Sequence, residues 1–293
     1  MKVYHCIGYS EALPLILATK WSIMLGSSDI IEAQSNTITC VFPGAYTKVM
    51  NIMTKFLEIA CFDPQSALLA AQAGADRIEL CQNYTAGGLT PPAEWLKQLK
   101  NHLALPVKVM IRPRADDFVY SEVEFLAMRS ELLQAKALGA DGFVFGILNQ
   151  AGRIDIESCK ELLELAAPLP CTFHRAFDRL GSVSAALEGL EILIELGFSS
   201  ILSSGLKASA MEGSEFLGVM VRQAAGRIEV IPGGGIRSGN IAALDAIVGA
   251  GFYHSAAWNL DAAAYETSGS FDAKEIIRLK LSFLEFSSLR NVY

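Results

Sequence analysis

The sequence lacks the features that mark two large classes of protein. Acidic residues outnumber basic ones by 31 to 24, and the formal net charge is −7, whereas proteins that bind nucleic acid usually present a basic stripe. No apolar run reaches the roughly 18 residues that a membrane-spanning helix needs. We therefore predict neither a nucleic-acid partner nor a membrane span, and we expect a small anionic molecule or a metal ion as the partner.

Cysteine is sparse, and its spacing shows no pairs. The chain has six cysteines, at positions 6, 40, 61, 81, 159 and 171. Because this scatter is unlike a secreted disulfide framework, we expect reduced thiols in a cytoplasmic protein. The motifs CxxC, HExxH, GxSxG, the P-loop and GxGxxG are also missing. Zinc-hydrolase, serine-esterase and nucleotide-binding functions therefore have no motif support, and no organic cofactor is implied.

What the chain does contain is a repeat of strand-like runs separated by amphipathic helical stretches. Eight runs begin near Leu57, Arg77, Val107, Gly142, Cys171, Ser199, Arg227 and Phe252. Strands that alternate with helices predict a parallel sheet, and eight such units are the number in a (β/α)8 barrel. The predicted fold class is therefore α/β, with a single TIM-type barrel over residues 53–293.

Residues 1–52 do not follow this repeat. A complete barrel needs nothing before Leu57. We therefore expect these residues to be an N-terminal extension outside the barrel and not part of the fold, as an upstream start codon would produce. The alternative is an additional helix that covers the bottom of the barrel.

Several helix starts can be recognised from capping residues. Asp63 followed by Pro64 is typical of an N-cap and a first helical residue. The segment Ser121–Glu124 has the residues of a capping box. Three further candidate N-caps are Asp155, Ser182 and Ser214.

Polar side chains cluster where the predicted strands end, which is the active face of such a barrel. The candidate ligand-binding residues at these ends are Glu79, Arg112, His174, Arg175, Gly233, Gly234, Gly235 and His254. Because side chains alternate along a strand, Glu79 and Cys81 should share a face, as should Arg112 and Arg114. No catalytic residue can be assigned from this pattern alone.

Each of these features has a functional and a structural interpretation. Arg112 and Arg114 could clamp a carboxylate or phosphate, or could neutralise Glu79 or Asp116 inside the barrel. Gly233–Gly235 could bind phosphate through backbone N–H groups, or could simply form a tight turn that needs positive φ.

Two of the histidines and two of the cysteines also allow both a functional and a structural interpretation. His174 and His254 could be acid–base groups or ligands, or hydrogen-bonded structural residues. Cys61 and Cys81 end neighbouring strands, which lie about 4.8 Å apart, so their thiols could be close enough to bind Cu(I). Buried cysteine is more often a small hydrophobic residue.

Several of these segments together resemble the CutC copper homeostasis family, in order from about Leu57 to His254. They are GADRIELC (74–81), GGLTP (87–91), MIRPR (110–114), DFVYS (117–121), GFVFG (142–146), TFHRAFD (172–178) and PGGG (232–235). The resemblance implies a cytoplasmic barrel that forms a homo-oligomer and acts in copper tolerance or Cu(I) binding. It also implies Cys61 and Cys81 as copper ligands, although Phe62 stands where many relatives have a further cysteine.

These residues and the family resemblance predict two alternative functions. The first is a cytoplasmic copper homeostasis protein that binds or buffers Cu(I) through the thiolates of Cys61 and Cys81 at the barrel mouth. The alternative is a TIM-barrel enzyme that acts on a small anionic substrate, such as a phosphorylated molecule. In that case Glu79 or His174 would be the acid–base group, and Arg112 with Gly233–Gly235 would hold the anion.

Overall fold

The computed structural model describes residues 21–25, 29–34, 37–41, 47–51, 55–258 and 271–289. The chain divides into two compact units. One contains Met1–Thr54 with Leu284–Tyr293, and the other contains Lys55–Phe283.

In the first unit, the described residues before Thr54 form an antiparallel sheet of four strands in chain order. The strands are β1 (Trp21–Leu25), β2 (Asp29–Gln34), β3 (Thr37–Val41) and β4 (Thr47–Asn51). Strand β3 reads Thr-Ile-Thr-Cys-Val, and such β-branched residues favour extended backbone. The alternative of an additional helix therefore does not hold for these residues.

The second unit contains eight parallel strands. They are β5 (Phe56–Cys61), β6 (Arg77–Leu80), β7 (Val107–Met110), β8 (Gly142–Phe145), β9 (Cys171–Phe173), β10 (Ser200–Ser203), β11 (Glu229–Pro232) and β12 (Phe252–Ser255). Their order is β11-β10-β9-β8-β7-β6-β5-β12, and β11 and β12 lie side by side, so the sheet is nearly closed. The predicted TIM-type barrel is confirmed.

A helix follows each strand of the barrel. The helices are α1 (Pro64–Gln72), α2 (Ala93–Lys100), α3 (Glu122–Ala137), α4 (Ile156–Ala166), α5 (Val183–Leu196), α6 (Ser214–Ala224), α7 (Ile241–Val248) and α8 (Ala273–Leu289). Within the described ranges, none of these helices combines the length and the hydropathy that a membrane crossing requires.

Most of the predicted caps are present, and one is wrong. Asp63 accepts a hydrogen bond from the Ser66 N–H at 2.7 Å, and Ser121 forms the capping box with Glu124. Helix α6, however, is capped by Gly213 and not by Ser214. A Cβ atom on residue 213 would lie 2.0 Å from the Ser204 carbonyl oxygen, so this close approach excludes any residue with a capping side chain.

The two faces of the barrel wall have different chemistry. In β5 the side chains of Leu57, Ile59 and Cys61 belong to the apolar core. Burying an aliphatic side chain of this size contributes about 1.5–3 kcal/mol, so this layer holds the barrel together. The alternate residues Glu58 and Ala60 face the barrel interior, because side chains alternate along a strand.

The amino-terminal half of the barrel interior is filled by ionic and polar side chains. Arg77 donates to Glu58 at 2.5 Å and to Glu229 at 3.1 Å. Nearby, the buried Lys108 ammonium donates to hydroxyl groups on β9 and β10. This network forms a closed floor, which leaves the opposite end of the barrel as the place for a ligand.

Candidate functional site

A cavity of about 420 Å³ opens at the carboxyl ends of the strands. This volume lies in the range of small-molecule sites. Its walls include the predicted residues Glu79, Cys81, Arg112, His174, Arg175, Gly234, Gly235 and His254. Gly233 lies beside it, where a Cβ atom would come within 2.5 Å of Leu202.

Cys61 and Cys81 lie on opposite faces of the barrel wall. Cys61 pairs in register with Leu80 and belongs to the outer core, and its thiol donates to the Ile59 carbonyl. Cys81 shares the inner face with Glu79, and its Sγ lies 3.4 Å from Glu79 Oε2. Burial raises the pKa of both thiols well above the usual range. The structure therefore brings Cys81, but not Cys61, to the cavity.

An acid–base group lies at the base of the cavity. His254 Nδ1 is 2.8 Å from Glu58 Oε1, and His254 Nε2 is 3.8 Å from Glu79 Oε2. One atom from each side chain lies within 4.8 Å of the others, and within the described residues these three could surround a metal ion. Glu58 is already hydrogen bonded to His254 and Arg77, however, so a metal ion would have to displace existing partners.

The pKa values in this group are shifted in different directions. Burial raises the pKa of Glu79, against the opposing charge of His254. Burial alone would lower the pKa of His254, but Glu79 and then Glu58 outweigh it and raise that pKa. Burial would raise the pKa of Glu58, but Arg77 and His254 hold it well below its usual value. His254 and Glu79 can therefore exchange a proton with a ligand bound above them.

His174 and Arg175 separate at the end of β9. His174 Nδ1 accepts a hydrogen bond from the Ala176 N–H at 3.2 Å, so its proton is assigned to Nε2. That Nε2 is buried and has no partner in the described residues. Burial and then Arg112 lower the pKa of His174 to about 3, so the ring is a neutral donor. Arg175 lies at the rim and bonds Asp178 and Ser204 at 3.0 and 2.8 Å.

Arg112 is buried beside the cavity and has no carboxylate partner among the described residues. Its side chain lines the cavity, and Nη1 donates to carbonyl oxygens of the 86–88 loop. Its Nε is buried without an acceptor. Arg114 instead pairs with Glu124, so the expected arginine pair does not form. The reason is that β7 ends at Met110, and the alternation of side chains does not extend beyond it.

The glycine run after β11 forms a turn whose N–H groups are available. Gly234 and Gly235 have φ values of 107° and 72°, which favour glycine. Within residues 55–258, their N–H groups donate to no protein acceptor. A Cβ atom on Gly234 would lie 3.6 Å from the Arg175 guanidinium carbon. The turn requirement and the capacity to bind an anion are thus compatible.

Sequence reasoning missed several residues of the site. Arg237 lines the cavity, donates to Ser255 Oγ at 3.2 Å and to the Trp258 carbonyl at 2.9 Å, and forms no ion pair with a described residue. The sequence feature that could have identified Arg237 is its position, two residues after the glycine run. The sequence feature that could have identified Glu58 is a charged residue within an otherwise apolar strand. The aromatic residues Tyr84 and Trp258 stack at 4.3 Å beside the mouth.

Comparison with known proteins agrees with this architecture. The model of the CutC family matches residues 55–259. The chain belongs to the CutC family. The resemblance predicted from the sequence motifs is therefore confirmed for the barrel.

Relatives of this CutC protein occur in animals and bacteria. It is 45% identical over 203 residues to the copper homeostasis protein cutC homolog of Homo sapiens, covering 69% of this chain and 73% of the human protein. It is 42% identical over 205 residues to a CutC family protein of Chromobacterium violaceum, covering 70% and 82%. The crystal structure of a CutC protein from Streptococcus agalactiae matches with a TM-score of 0.66 at 31% identity, covering 69% of this chain and 99% of that one.

Proposed function

We propose that this CutC protein is an enzyme that binds a small anionic molecule at the barrel mouth and transfers a proton on it. The observation that carries the proposal is that Arg112 and Arg237 line one cavity and have no carboxylate partner among the described residues. A buried guanidinium is costly unless its charge is balanced. A bound anion supplies that balance.

The acid–base group supports a reaction as well as binding. Glu79 is 3% exposed, and its Oε1 has no hydrogen-bond partner in the described residues. Its raised pKa makes it a stronger base than an ordinary carboxylate. His254, held by Glu58, donates or receives the second proton. We assign proton abstraction and return to these two side chains.

Thermal unfolding with a panel of anions tests the proposal. We expect inorganic phosphate, small carboxylates or phosphate esters to raise the Tm of the full chain. A ligand at one hundred times its Kd adds about 2.7 kcal/mol, or roughly 5–10 °C for a protein of this size. Arg237→Gln should remove the shift, and Arg129→Gln, a surface arginine paired with Glu161, should keep it. A panel in which no anion changes the Tm would contradict the proposal.

Copper binding through thiolates is a second candidate, suggested by the name of the human relative. Cys81 and Met110 lie together on the inner face, and thiolate and thioether sulfur are ligands that Cu(I) prefers. The proposed pair of Cys61 and Cys81 would require one side chain to reach across the barrel wall.

Single substitutions separate these copper sites. Reduced, anaerobic protein is titrated with Cu(I) against a chromophoric chelator, beside Cys61→Ser and Cys81→Ser. Loss of tight binding in both variants would support the two-thiolate site, and loss in Cys81→Ser alone would support a site on the inner face. Tight binding that neither variant changes would refute both sites.

We also propose a cytoplasmic setting and a homo-oligomer. The four cysteines of the barrel, Cys61, Cys81, Cys159 and Cys171, are all free thiols, which suits a reducing compartment. Helix α3 exposes 77% of Val123 and 50% of Leu126, as a subunit contact would require. Light scattering of the native protein and Leu126→Glu tests the assembly. Residues 1–52 are proposed to be dispensable, so a chain beginning at Met53 should keep its cooperative thermal transition.

A further inference from the structure

We infer that the ligand carries two anionic groups held on opposite sides of the cavity, a carboxylate by Arg112 and His174 and a phosphate by Arg237 and the Gly234–Gly235 turn. The substrate class is thus a small phosphorylated carboxylic acid. This inference rests on the proposed function, and it adds how many charged groups the ligand has and where each one lies.

The two unpaired arginines belong to opposite walls of the barrel. Arg112 follows β7 and Arg237 follows β11, and these strands are four positions apart in the ring of eight. Strands about 4.8 Å apart and tilted by about 36° give a barrel roughly 15 Å across. Each guanidinium is also tethered to its own wall by backbone carbonyls, Arg112 by the 86–88 loop and Arg237 by Ile236 and Trp258. One small anion therefore does not satisfy both.

The wall at β7 and β9 has two hydrogen-bond donors without an acceptor in the described residues. Arg112 Nε and His174 Nε2 are both buried and have no acceptor in the described residues. The two residues are 6% and 3% exposed. Burial and then the charge of Arg112 lower the pKa of His174, so the ring stays neutral and Nε2 remains a donor. Two N–H donors beside a positive charge fit the two oxygen atoms of a carboxylate.

The wall at β11 offers a larger set of donors. The N–H groups of Gly234 and Gly235 are free of protein acceptors within residues 55–258, and the Arg175 guanidinium lies beside them. Arg237 adds a charge with no carboxylate partner there. Successive backbone N–H groups in a turn of positive φ form a concavity for anions. A tetrahedral phosphate, with three terminal oxygens, uses more of these donors than a carboxylate does.

The acid–base group lies between the two walls. Around the barrel from β7 to β11 through β6, β5 and β12, the strands carry Glu79 on β6, Glu58 on β5 and His254 on β12. A ligand anchored at both ends spans the cavity that Glu79 and His254 line. Of these side chains, Glu79 has an oxygen, Oε1, that is without a partner in the described residues. The two anchors thus position the carbon whose proton is transferred.

Isothermal titration calorimetry with three probes tests the inference on the full chain. The probes are inorganic phosphate, succinate and 3-phosphoglycerate. We expect 3-phosphoglycerate to bind the native protein at least tenfold more tightly than phosphate. Arg112→Gln and Arg237→Gln should each weaken 3-phosphoglycerate at least tenfold. Only Arg237→Gln should weaken phosphate, and unchanged phosphate affinity in Arg112→Gln would show that the variant is folded.

Other outcomes overturn the inference in distinguishable ways. If phosphate and 3-phosphoglycerate bind equally and both variants weaken both probes, one anion is held between the arginines, and the inference fails while the proposed function stands. If succinate binds as tightly as 3-phosphoglycerate, the phosphate assignment fails. If none of the three probes binds, the inference fails, and the wider anion panel with Arg237→Gln decides separately on the proposed function.

Discussion

Replacing Glu58 with glutamine should destabilise the barrel and lower the pKa of His254. Glu58 is fully buried and accepts hydrogen bonds from Arg77 at 2.5 Å and His254 at 2.8 Å. Removing one partner of a buried ion pair costs roughly 3–5 kcal/mol. Because Arg77 keeps Glu229 at 3.1 Å, we expect the lower end, about 3 kcal/mol. This corresponds to a fall in Tm of roughly 6–12 °C.

Glu229→Gln is the matched control, because it removes the other carboxylate from Arg77. The Glu229 side chain is 32% exposed, so this variant should lose less than about 1 kcal/mol. Urea unfolding measures the two free energies. Proton NMR of the histidine rings, assigned with a His254→Gln variant, gives the pKa of His254 in each protein.

The expected direction for His254 follows from its surroundings. Its pKa is raised because Glu79 and Glu58 outweigh the effect of burial. Glutamine at position 58 removes one of these carboxylates and leaves the burial unchanged, so the pKa must fall. An unchanged pKa in Glu58→Gln, or equal destabilisation by Glu229→Gln, would refute the idea that Glu58 holds this network.

Three further outcomes are expected. Because the folded-state pKa of His254 lies above the ordinary value of 6.5, its contribution to stability is complete below pH 6.5 and is lost as pH rises through the folded pKa. Urea unfolding at pH values from 6 to 9 should show this loss. The His254→Gln variant should flatten the dependence of the unfolding free energy on pH, whereas His102→Gln, at an exposed position, should not. Gly234→Ala should cost on the order of 1–3 kcal/mol because φ is 107°, and calorimetry should also show weaker phosphate binding; full affinity would argue against this turn as the anion site. Ser121→Ala should cost about 1 kcal/mol in urea unfolding through loss of the capping box, and no change would mean that the cap is not needed.

The barrel could be predicted from the sequence because its signals are local. Strands were expected near Ser199 and Arg227, and β10 and β11 begin at Ser200 and Glu229. Hydrophobic runs and capping residues depend on a few neighbouring positions, so they can be recognised without the fold. The alternation of Glu79 and Cys81 was equally local, and the two side chains are in contact.

The site was less predictable because it depends on register and on loop paths. Cys61 is the last residue of β5, and Cys81 follows the last residue of β6. Because Cys61 lies opposite Leu80, an offset of one residue puts the two thiols on different faces of the wall. Arg237 reaches the cavity through a loop whose path no periodicity encodes. Glu58 belongs to an ordinary strand pattern, and only the closed barrel shows that it meets Arg77 and His254.

The stacking of Trp258 on Tyr84 gives the protein a spectroscopic reporter next to the cavity. The Trp258 carbonyl accepts a hydrogen bond from Arg237, and Tyr84 lines the cavity. The chain has only three tryptophans, at positions 21, 95 and 258. With the first two replaced by phenylalanine, ligand entry can be followed by the emission of a single indole. Stopped-flow fluorescence could then resolve association rates without any attached dye.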